Sequence, residues 1–175
     1  KTRIAADEID IIRHVLLTHF HADFLAGHLE LADATGATLH LGAAAAAEFD
    51  FVPFADGERI ELGEVSITAL ATPGHTPEST CYVVRSSAEA EPHAVLTGDT
   101  LFIGDVGRPD LMSSVGVTAD ELAGDLYDSL HGKLLKLPDE TILYPGHGAG
   151  SACGKSLSTA LSCTIGAQRG SNYAL

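Results

Sequence analysis

The chain has 175 residues, of which 45% are hydrophobic and 19% charged, the composition of one ordinary folded domain with a core of its own. Its 24 Asp and Glu residues outnumber its 10 Lys and Arg residues, and the net charge of -14 repels nucleic acid phosphates and anionic lipid. Partners of those two classes are therefore not expected.

The sequence also bears on location. No apolar run reaches the roughly 18 to 20 residues of a membrane-spanning helix, and the N-terminus lacks the layout of a signal peptide. Three widely spaced cysteines, Cys81, Cys153 and Cys163, argue against a disulfide framework and favour a reducing compartment. We therefore expect a cytoplasmic protein without membrane segments.

The first predicted unit is a strand, a loop and a helix. Residues 11–18 (IIRHVLLT) form a nearly continuous apolar run, which is typical of a buried strand. Apolar residues then recur at helical spacing over residues 23–34, and Gly36 predicts the end of that helix. The loop between them carries three side chains that can bind a metal: His19, His21 and Asp23.

The middle of the chain predicts short strands. They lie at residues 38–41, 59–62, 65–70, 81–85 and 94–97, with a helical turn at 43–47. Gly63 predicts a hairpin between the second and third of these strands. His75, within TPGHT, and Asp99, within TGDT, each follow directly after a predicted strand.

The last third predicts one helix and one strand. A long loop rich in Gly and Asp covers residues 100–116, and Thr118 with Glu121 then predicts a capping box. The helix carries leucines every four residues up to Leu134 and ends before Pro138. Residues 141–144 predict a strand, and His147 follows it in YPGH. The final stretch, GAQRGSNYAL, shows no closing element, and together with a start that is not methionine it predicts a partial chain.

Four segments thus each present His or Asp just after a strand. Open mixed sheets bind ligands at such strand ends, where side chains distant in sequence converge. A single histidine is more often a surface or hydrogen-bonded residue than a ligand, and five of the nine are interpreted so: His14, His28, His40, His93 and His131. The pattern H-x-H-x-D with two further histidines in Gly-Pro loops instead indicates a metal site.

The motifs THFHADF, PGHT, TGDT and YPGH resemble the ligand motifs of the metallo-β-lactamase fold. The resemblance implies an α/β chain, an αββα sandwich, here without the strands that normally precede THFHAD. In the family's binuclear hydrolases, residues matching His19, His21 and His75 bind one metal, and Asp99 bridges to the other. The second metal takes the positions of Asp23, Phe24 and His147.

Phe24 departs from that pattern. A phenyl ring has no lone pair to donate, so the second site loses a ligand and one metal is the better expectation. Phe24 also has a simpler interpretation as a core residue that packs the helix, and the two are compatible. A single site of His and carboxylate suits iron as well as zinc.

The longer stretches FHADFLAGHLEL, PGHTPEST, GDTLFIGDVGRPDL and YPGHGAGSACGKS resemble the persulfide dioxygenase branch, especially its rhodanese-fused forms. The resemblance implies one Fe(II) per chain, held at the catalytic centre by residues matching His19, His75 and Asp99. It also implies residues that orient ligands, water or substrate: His21, Asp23, Tyr144 and His147. The implied reaction oxidises a small persulfide, such as glutathione persulfide, with O₂ to sulfite and thiol.

Three residues are candidates for substrate binding. Cys153 could accept persulfide sulfur, because a thiolate is a competent acceptor, or could be a small structural residue in a glycine loop. Lys155 and Arg108 could bind the carboxylates of a glutathione-type substrate, and Arg108 could equally be clamped by a neighbouring Asp.

The expected organisation is one domain over residues 1–175, with a rhodanese domain outside this chain. Two other functions stay open: a zinc thioester hydrolase of the glyoxalase II kind, which Phe24 disfavours, and a non-enzymatic metal-binding remnant, which the complete set of His19, His75 and Asp99 disfavours. The oligomeric state is open, a homo-oligomer included.

Overall fold

A computed structural model describes residues 12–21, 25–110 and 116–175. Its elements in chain order are β1 (His14–Leu16), α1 (His28–Thr35), β2 (Thr38–Gly42), β3 (Val52–Phe54), β4 (Arg59–Leu62), β5 (Val65–Ala71), β6 (Thr80–Arg85), β7 (Ala94–Gly98), α2 (Ala119–Gly132), β8 (Ile142–Pro145), β9 (Cys163–Thr164) and α3 (Ile165–Ser171). A short 3₁₀ turn, Leu134–Lys136, follows α2. None of the described helices is both long and apolar enough to cross a bilayer.

The strands form two sheets that face each other. β1, β2 and β3 make a parallel sheet, and β4 to β9 make a mixed sheet in sequence order, in which β7 and β8 are parallel. Phe54, Ala69 and Tyr82 pack between the sheets, and the Tyr82 hydroxyl donates to the Leu17 carbonyl at 2.6 Å. Apolar side chains of the two sheets therefore bind them together.

The main core lies on the other face of the larger sheet. Val83, Val95 and Leu143 from the sheet pack there against Leu126 of α2 and Ile165 of α3. On the outer side of the smaller sheet, α1 lies against β2. The layers are thus helix, sheet, sheet, helix, which confirms the predicted α/β sandwich.

Several local predictions are confirmed. Thr118 accepts the Glu121 N–H while the Glu121 carboxylate accepts the Thr118 N–H, so the capping box is complete. Gly36 ends α1 in the left-handed conformation at φ 71°, and Gly63, at φ 67°, turns between β4 and β5. These features depend on neighbouring residues alone.

Other boundaries differ. The first strand begins only at His14, and α1 begins at His28 rather than at residue 23. Residues 43–47 do not form the predicted helical turn. The chain instead makes one tight turn after β2, in which the Ala45 N–H donates to the Gly42 carbonyl. Helix α2 ends at Gly132, and Leu134 belongs to the 3₁₀ turn that follows.

Three elements were not predicted from the sequence: β3, β9 and α3. The prediction that the final stretch contains no closing element was wrong, because α3 forms there and its Ile165 packs into the main core. The Thr164 hydroxyl caps this helix by accepting the Ala167 N–H, and Ile165 and Gln168 are buried. The helix is rich in Gly and polar residues, so packing stabilises it more than its own propensity does.

Candidate metal centre

The topology brings four strand ends to one edge of the sandwich. β7 is antiparallel to β6, which is antiparallel to β5, so β5 and β7 run in the same direction, and β8 is parallel to β7. The Thr80 N–H donates to the Thr18 carbonyl at 2.8 Å and joins the end of β1 to the same edge. The ends of β1, β5, β7 and β8 therefore lie at the same edge of the sandwich, and the loops that follow them start there.

Three histidines surround one carboxylate at this edge. The Nε2 atoms of His147, His75 and His19 lie 3.2, 3.5 and 3.6 Å from Oδ2 of Asp99. His19, His75 and Asp99 are almost completely buried. The cluster is therefore largely shielded from water.

The orientation of His75 follows from its second ring nitrogen. Nδ1 lies 3.0 Å from the Arg108 carbonyl oxygen, which can only accept, so Nδ1 carries the hydrogen. The lone pair of Nε2 then points towards Asp99. Burial lowers the pKa of His75, and the influence of His19 lowers it further against the opposing pull of Asp99. A neutral imidazole, the form that binds metals, is therefore favoured.

Asp99 carries the negative charge of the cluster. Burial raises the pKa of its carboxyl group, but the closeness of His19, His147 and His75 outweighs burial and lowers the pKa overall. Both carboxylate oxygens are buried, and neither forms a hydrogen bond of good geometry with a described residue. An ionised, buried carboxylate that faces the Nε2 lone pair of His75 calls for a cation.

The spacing of the donor atoms fits such a cation. Nitrogen and oxygen ligands that share a Zn²⁺ or Fe²⁺ ion at about 2.0–2.2 Å lie about 3.0–3.5 Å apart. Two sets of described side chains place one donor atom each within 4.8 Å of one another: His19, His75 and Asp99, and His21, Asp99 and His147. Asp99 belongs to both sets, so the residues present can hold a metal. Asp23 and Phe24 lie outside the described residues.

Glycines bring the backbone close to Asp99. A Cβ built on Gly107 would lie 1.8 Å from the Asp99 carbonyl oxygen, and one on Gly146 would lie 2.5 Å from Oδ1 of Asp99. Gly98 combines φ +50° with a Cβ position only 2.7 Å from the Thr18 side chain. Gly146 therefore leaves room for the Asp99 carboxylate, Gly107 for the Asp99 backbone and Gly98 for Thr18.

One supporting residue escaped sequence analysis. Glu78 is buried, and its Oε1 accepts the Phe20 N–H at 2.9 Å, which holds the loop between His19 and His21. Its partner is a backbone amide 58 positions away, so the sequence offers no signal that would pair them.

A cavity of about 210 Å³ lies beside the cluster. On its described side it is lined by His19, His21 and His28 and by apolar side chains that include Leu17, Phe20 and Leu25. Two larger cavities, of about 400 and 470 Å³, share no lining residue with the cluster. Of these three cavities, the smaller one is the one that adjoins the cluster.

The candidate substrate residues lie on two adjoining loops. Arg108 is held by Asp110 through two hydrogen bonds of 3.0 and 2.8 Å. This agrees with its interpretation as a residue clamped by a neighbouring Asp. Cys153 is 6% exposed, whereas the side chain of Lys155 lies at the surface. Tyr144 is 42% exposed, and its carbonyl lies 3.4 Å from the Thr97 hydroxyl.

The five histidines set aside by sequence analysis belong to neither ligand set among the described residues. His14 and His40 share a hydrogen bond of 3.0 Å across β1 and β2, and His28 packs against Phe49. His131 packs against Tyr127, with the two rings tilted by 37°. Their interpretation as packing, hydrogen-bonded or surface residues agrees with these contacts.

A family model and curated proteins both match this chain. The family model described as "Metallo-beta-lactamase superfamily" matches residues 3–147. A probable hydroxyacylglutathione hydrolase of Schizosaccharomyces pombe is 35% identical over 147 residues, which are 84% of this chain and 52% of that protein.

Two crystal structures resemble the fold. A metallo-beta-lactamase from Staphylococcus aureus has a TM-score of 0.80 at 33% identity, over 93% of this chain and 48% of that one. ETHE1 from Myxococcus xanthus has a TM-score of 0.75 at 31% identity, over 95% of this chain and 64% of that one. The chain spans about half the length of the curated relatives it matches.

Proposed function

This chain belongs to the metallo-β-lactamase superfamily, and from that premise we propose that it is a persulfide dioxygenase with one Fe(II) per chain. The observation that carries the proposal is the buried set of His19, His75 and Asp99, two imidazoles and one carboxylate within reach of one ion. That ligand combination is typical of non-haem iron oxygenases, in which it leaves positions open for O₂ and substrate. The likeness to ETHE1, a persulfide dioxygenase, supports it.

The proposed reaction balances as R–S–SH + O₂ + H₂O giving R–SH and H₂SO₃. When bound, Fe(II) supplies the redox chemistry and the positions for O₂ and the terminal persulfide sulfur. As ligands, Asp99 would supply one negative charge and the two imidazoles would supply none, so one positive charge of a bound Fe(II) would be left to attract a persulfide anion. The Arg108 carbonyl keeps the His75 ring in position.

Further residues have proposed parts in the same site. His21 and His147, and Asp23 and Tyr144 by resemblance, would orient ligands, water or substrate. The apolar side chains of Leu17 and Phe20 would offer apolar contacts to a substrate in the small cavity. Lys155 would bind a carboxylate of the thiol part of the substrate and Cys153 would contact its sulfur, whereas the Arg108 side chain, held by Asp110 and the Ala152 carbonyl, would support their loop. A rhodanese domain outside residues 1–175 and a cytoplasmic location belong to the same proposal.

A zinc thioester hydrolase is the second candidate. The set of His21, Asp99 and His147 favours it, because it could hold a second ion and Asp99 would bridge the two. The likeness to hydroxyacylglutathione hydrolases supports it as strongly as ETHE1 supports the first candidate. The metal and the co-substrate distinguish the two functions.

The test is metal content combined with oxygen uptake. Protein purified with and without air would be analysed for iron and zinc, then given glutathione persulfide in an oxygen electrode. We expect about one iron per chain, O₂ uptake and an equal amount of sulfite. Zinc with thioester cleavage, and no O₂ uptake after anaerobic loading with Fe(II), would overturn the proposal in favour of the hydrolase.

Restoring the ligand at position 24 should change the number of metal ions. In Phe24→His we expect the metal content to rise from about one to about two ions per chain, because an imidazole replaces a ring that cannot bind. The matched control is Phe24→Leu, which should stay at about one. A content that stays at one in Phe24→His would show that more of the second site is missing than this ligand.

A further inference from the structure

Asp105 is a buried carboxylate outside both ligand sets, and it accepts four hydrogen bonds. Its Oδ2 accepts the backbone N–H groups of Lys155 and Ser156 at 2.6 and 2.8 Å. Its Oδ1 accepts the Val106 N–H and the Tyr173 hydroxyl, both at 2.9 Å. Asp105 is 3% exposed, so these donors replace water around the charge.

These bonds join three parts of the chain around the metal centre. The first is the loop after β7, residues 99–110, which carries Asp99 and Arg108. The second is the loop after β8, residues 146–158, which carries His147, Cys153 and Lys155. The third is the segment after α3, which contains Tyr173.

Backbone hydrogen bonds link these two loops to His75 of the metal centre. The Arg108 N–H donates to the Cys153 carbonyl at 3.2 Å, and the Arg108 carbonyl accepts from Nδ1 of His75 at 3.0 Å. A second bond between the loops runs from the Ser158 N–H to the Ile103 carbonyl at 3.3 Å. Asp105 contributes the two shortest bonds between the loops.

The chemistry of the four donors demands a carboxylate. Both oxygens accept from N–H or O–H groups, so each must be an acceptor. An asparagine has the same shape but only one acceptor oxygen. In one orientation its NH₂ group would face the N–H groups of Lys155 and Ser156, and in the other it would face the Val106 N–H, while the Tyr173 hydroxyl can turn to accept from it. In either orientation Asp105→Asn therefore leaves at least one N–H without an acceptor, and it removes the charge that strengthens all four bonds, while conserving volume.

We propose that Asp105 is a positioning residue that fixes the loop of Cys153 and Lys155 against the loop of Asp99 and Arg108, and so shapes the substrate side of the site. The four hydrogen bonds of the Asp105 carboxylate go to residues outside both ligand sets, so it acts through the two loops. The activity part of this inference rests on the proposed function, whereas the structural part does not.

The first test measures the Cys153 thiol in Asp105→Asn by the rate of iodoacetamide labelling, resolved by mass spectrometry. Cys153 lies two residues before Lys155, so we expect its labelling to accelerate at least about tenfold when the loop opens more often. Cys81, which is completely buried in β6, serves as the internal control and should keep its rate. Tyr173→Phe, which removes one neutral donor, should give a smaller rise.

The matched control variant is Asp56→Asn. Asp56 also accepts a backbone N–H, that of Ala71 at 2.8 Å, and contacts Lys133 at 2.8 Å, but it belongs to neither loop. We expect wild-type labelling of Cys153 in this variant. A wild-type rate in Asp105→Asn would overturn the proposal, and so would equal acceleration of Cys81 and Cys153, which marks general destabilisation.

The second test separates positioning from stability by kinetics. With glutathione persulfide, Asp105→Asn should bind about one iron per chain, raise KM about tenfold and leave kcat within about twofold, because substrate contacts are lost while the metal ligands stay. Equal losses of kcat and iron would overturn the positioning role. If wild-type protein takes up no O₂, the proposed function fails, and the labelling test still decides the role of Asp105.

Discussion

Asp99→Ala should yield a folded protein that no longer binds metal in stoichiometric amount. Asp99 is the carboxylate common to both ligand sets, and the Nε2 atoms of three histidines lie within 3.2 to 3.6 Å of it. Without it the histidines have no negative charge to balance a divalent cation. Turnover should fall by more than the roughly 10–100-fold expected for a residue that only supports a ligand, about a thousandfold or more.

The measurement is metal content by elemental analysis, followed by oxygen uptake after anaerobic loading with Fe(II). Asp33→Ala is the matched control, because Asp33 is an exposed carboxylate on α1 and should keep both metal and activity. Circular dichroism would verify that Asp99→Ala is folded. About one ion per chain and wild-type turnover in Asp99→Ala would place the metal centre elsewhere.

Gly107→Ala should destabilise the protein and disrupt the metal centre together. The new Cβ would lie 1.8 Å from the Asp99 carbonyl oxygen and 3.1 Å from Cβ of His75. The first of these atoms is backbone, so it can yield only if the loop that carries Asp99 shifts. We expect a loss of about 3 kcal/mol or more in the free energy of unfolding, the upper part of the range for overpacking, with weaker metal binding.

Urea unfolding of the wild type and the variant, with metal content on the same samples, would measure both effects. Gly124→Ala is the matched control: Gly124 lies inside α2, a Cβ there would meet no atom within 4 Å, and alanine should stabilise the protein by about 0.5–1 kcal/mol. Unchanged stability and metal binding in Gly107→Ala would contradict the close packing around Asp99.

Local sequence determined the features that neighbouring residues control. The capping box of Thr118 and Glu121, the hairpin at Gly63 and the helix end at Gly36 involve residues at most a few positions apart. Strands β2, β4, β5, β6 and β7 were found within a residue or two because their apolar runs are short and bounded by turn residues. The positions of His19, His75, Asp99 and His147 after strands follow from the same patterns.

Elements with little signal of their own required the folded chain. β9 has two residues, β3 contains a proline, and α3 is rich in glycine and polar residues, so each exists because a neighbouring element provides partners.

The sequence by itself determined which residue types could bind a metal and that they follow strands. Only the tertiary structure decided which atoms meet and what holds them in place. Glu78 and Asp105 show why: their partners are backbone N–H groups 58 and 50 positions away, and every residue except proline offers such a donor. No side-chain pattern marks those partners, so only the packing of strands and loops selects them.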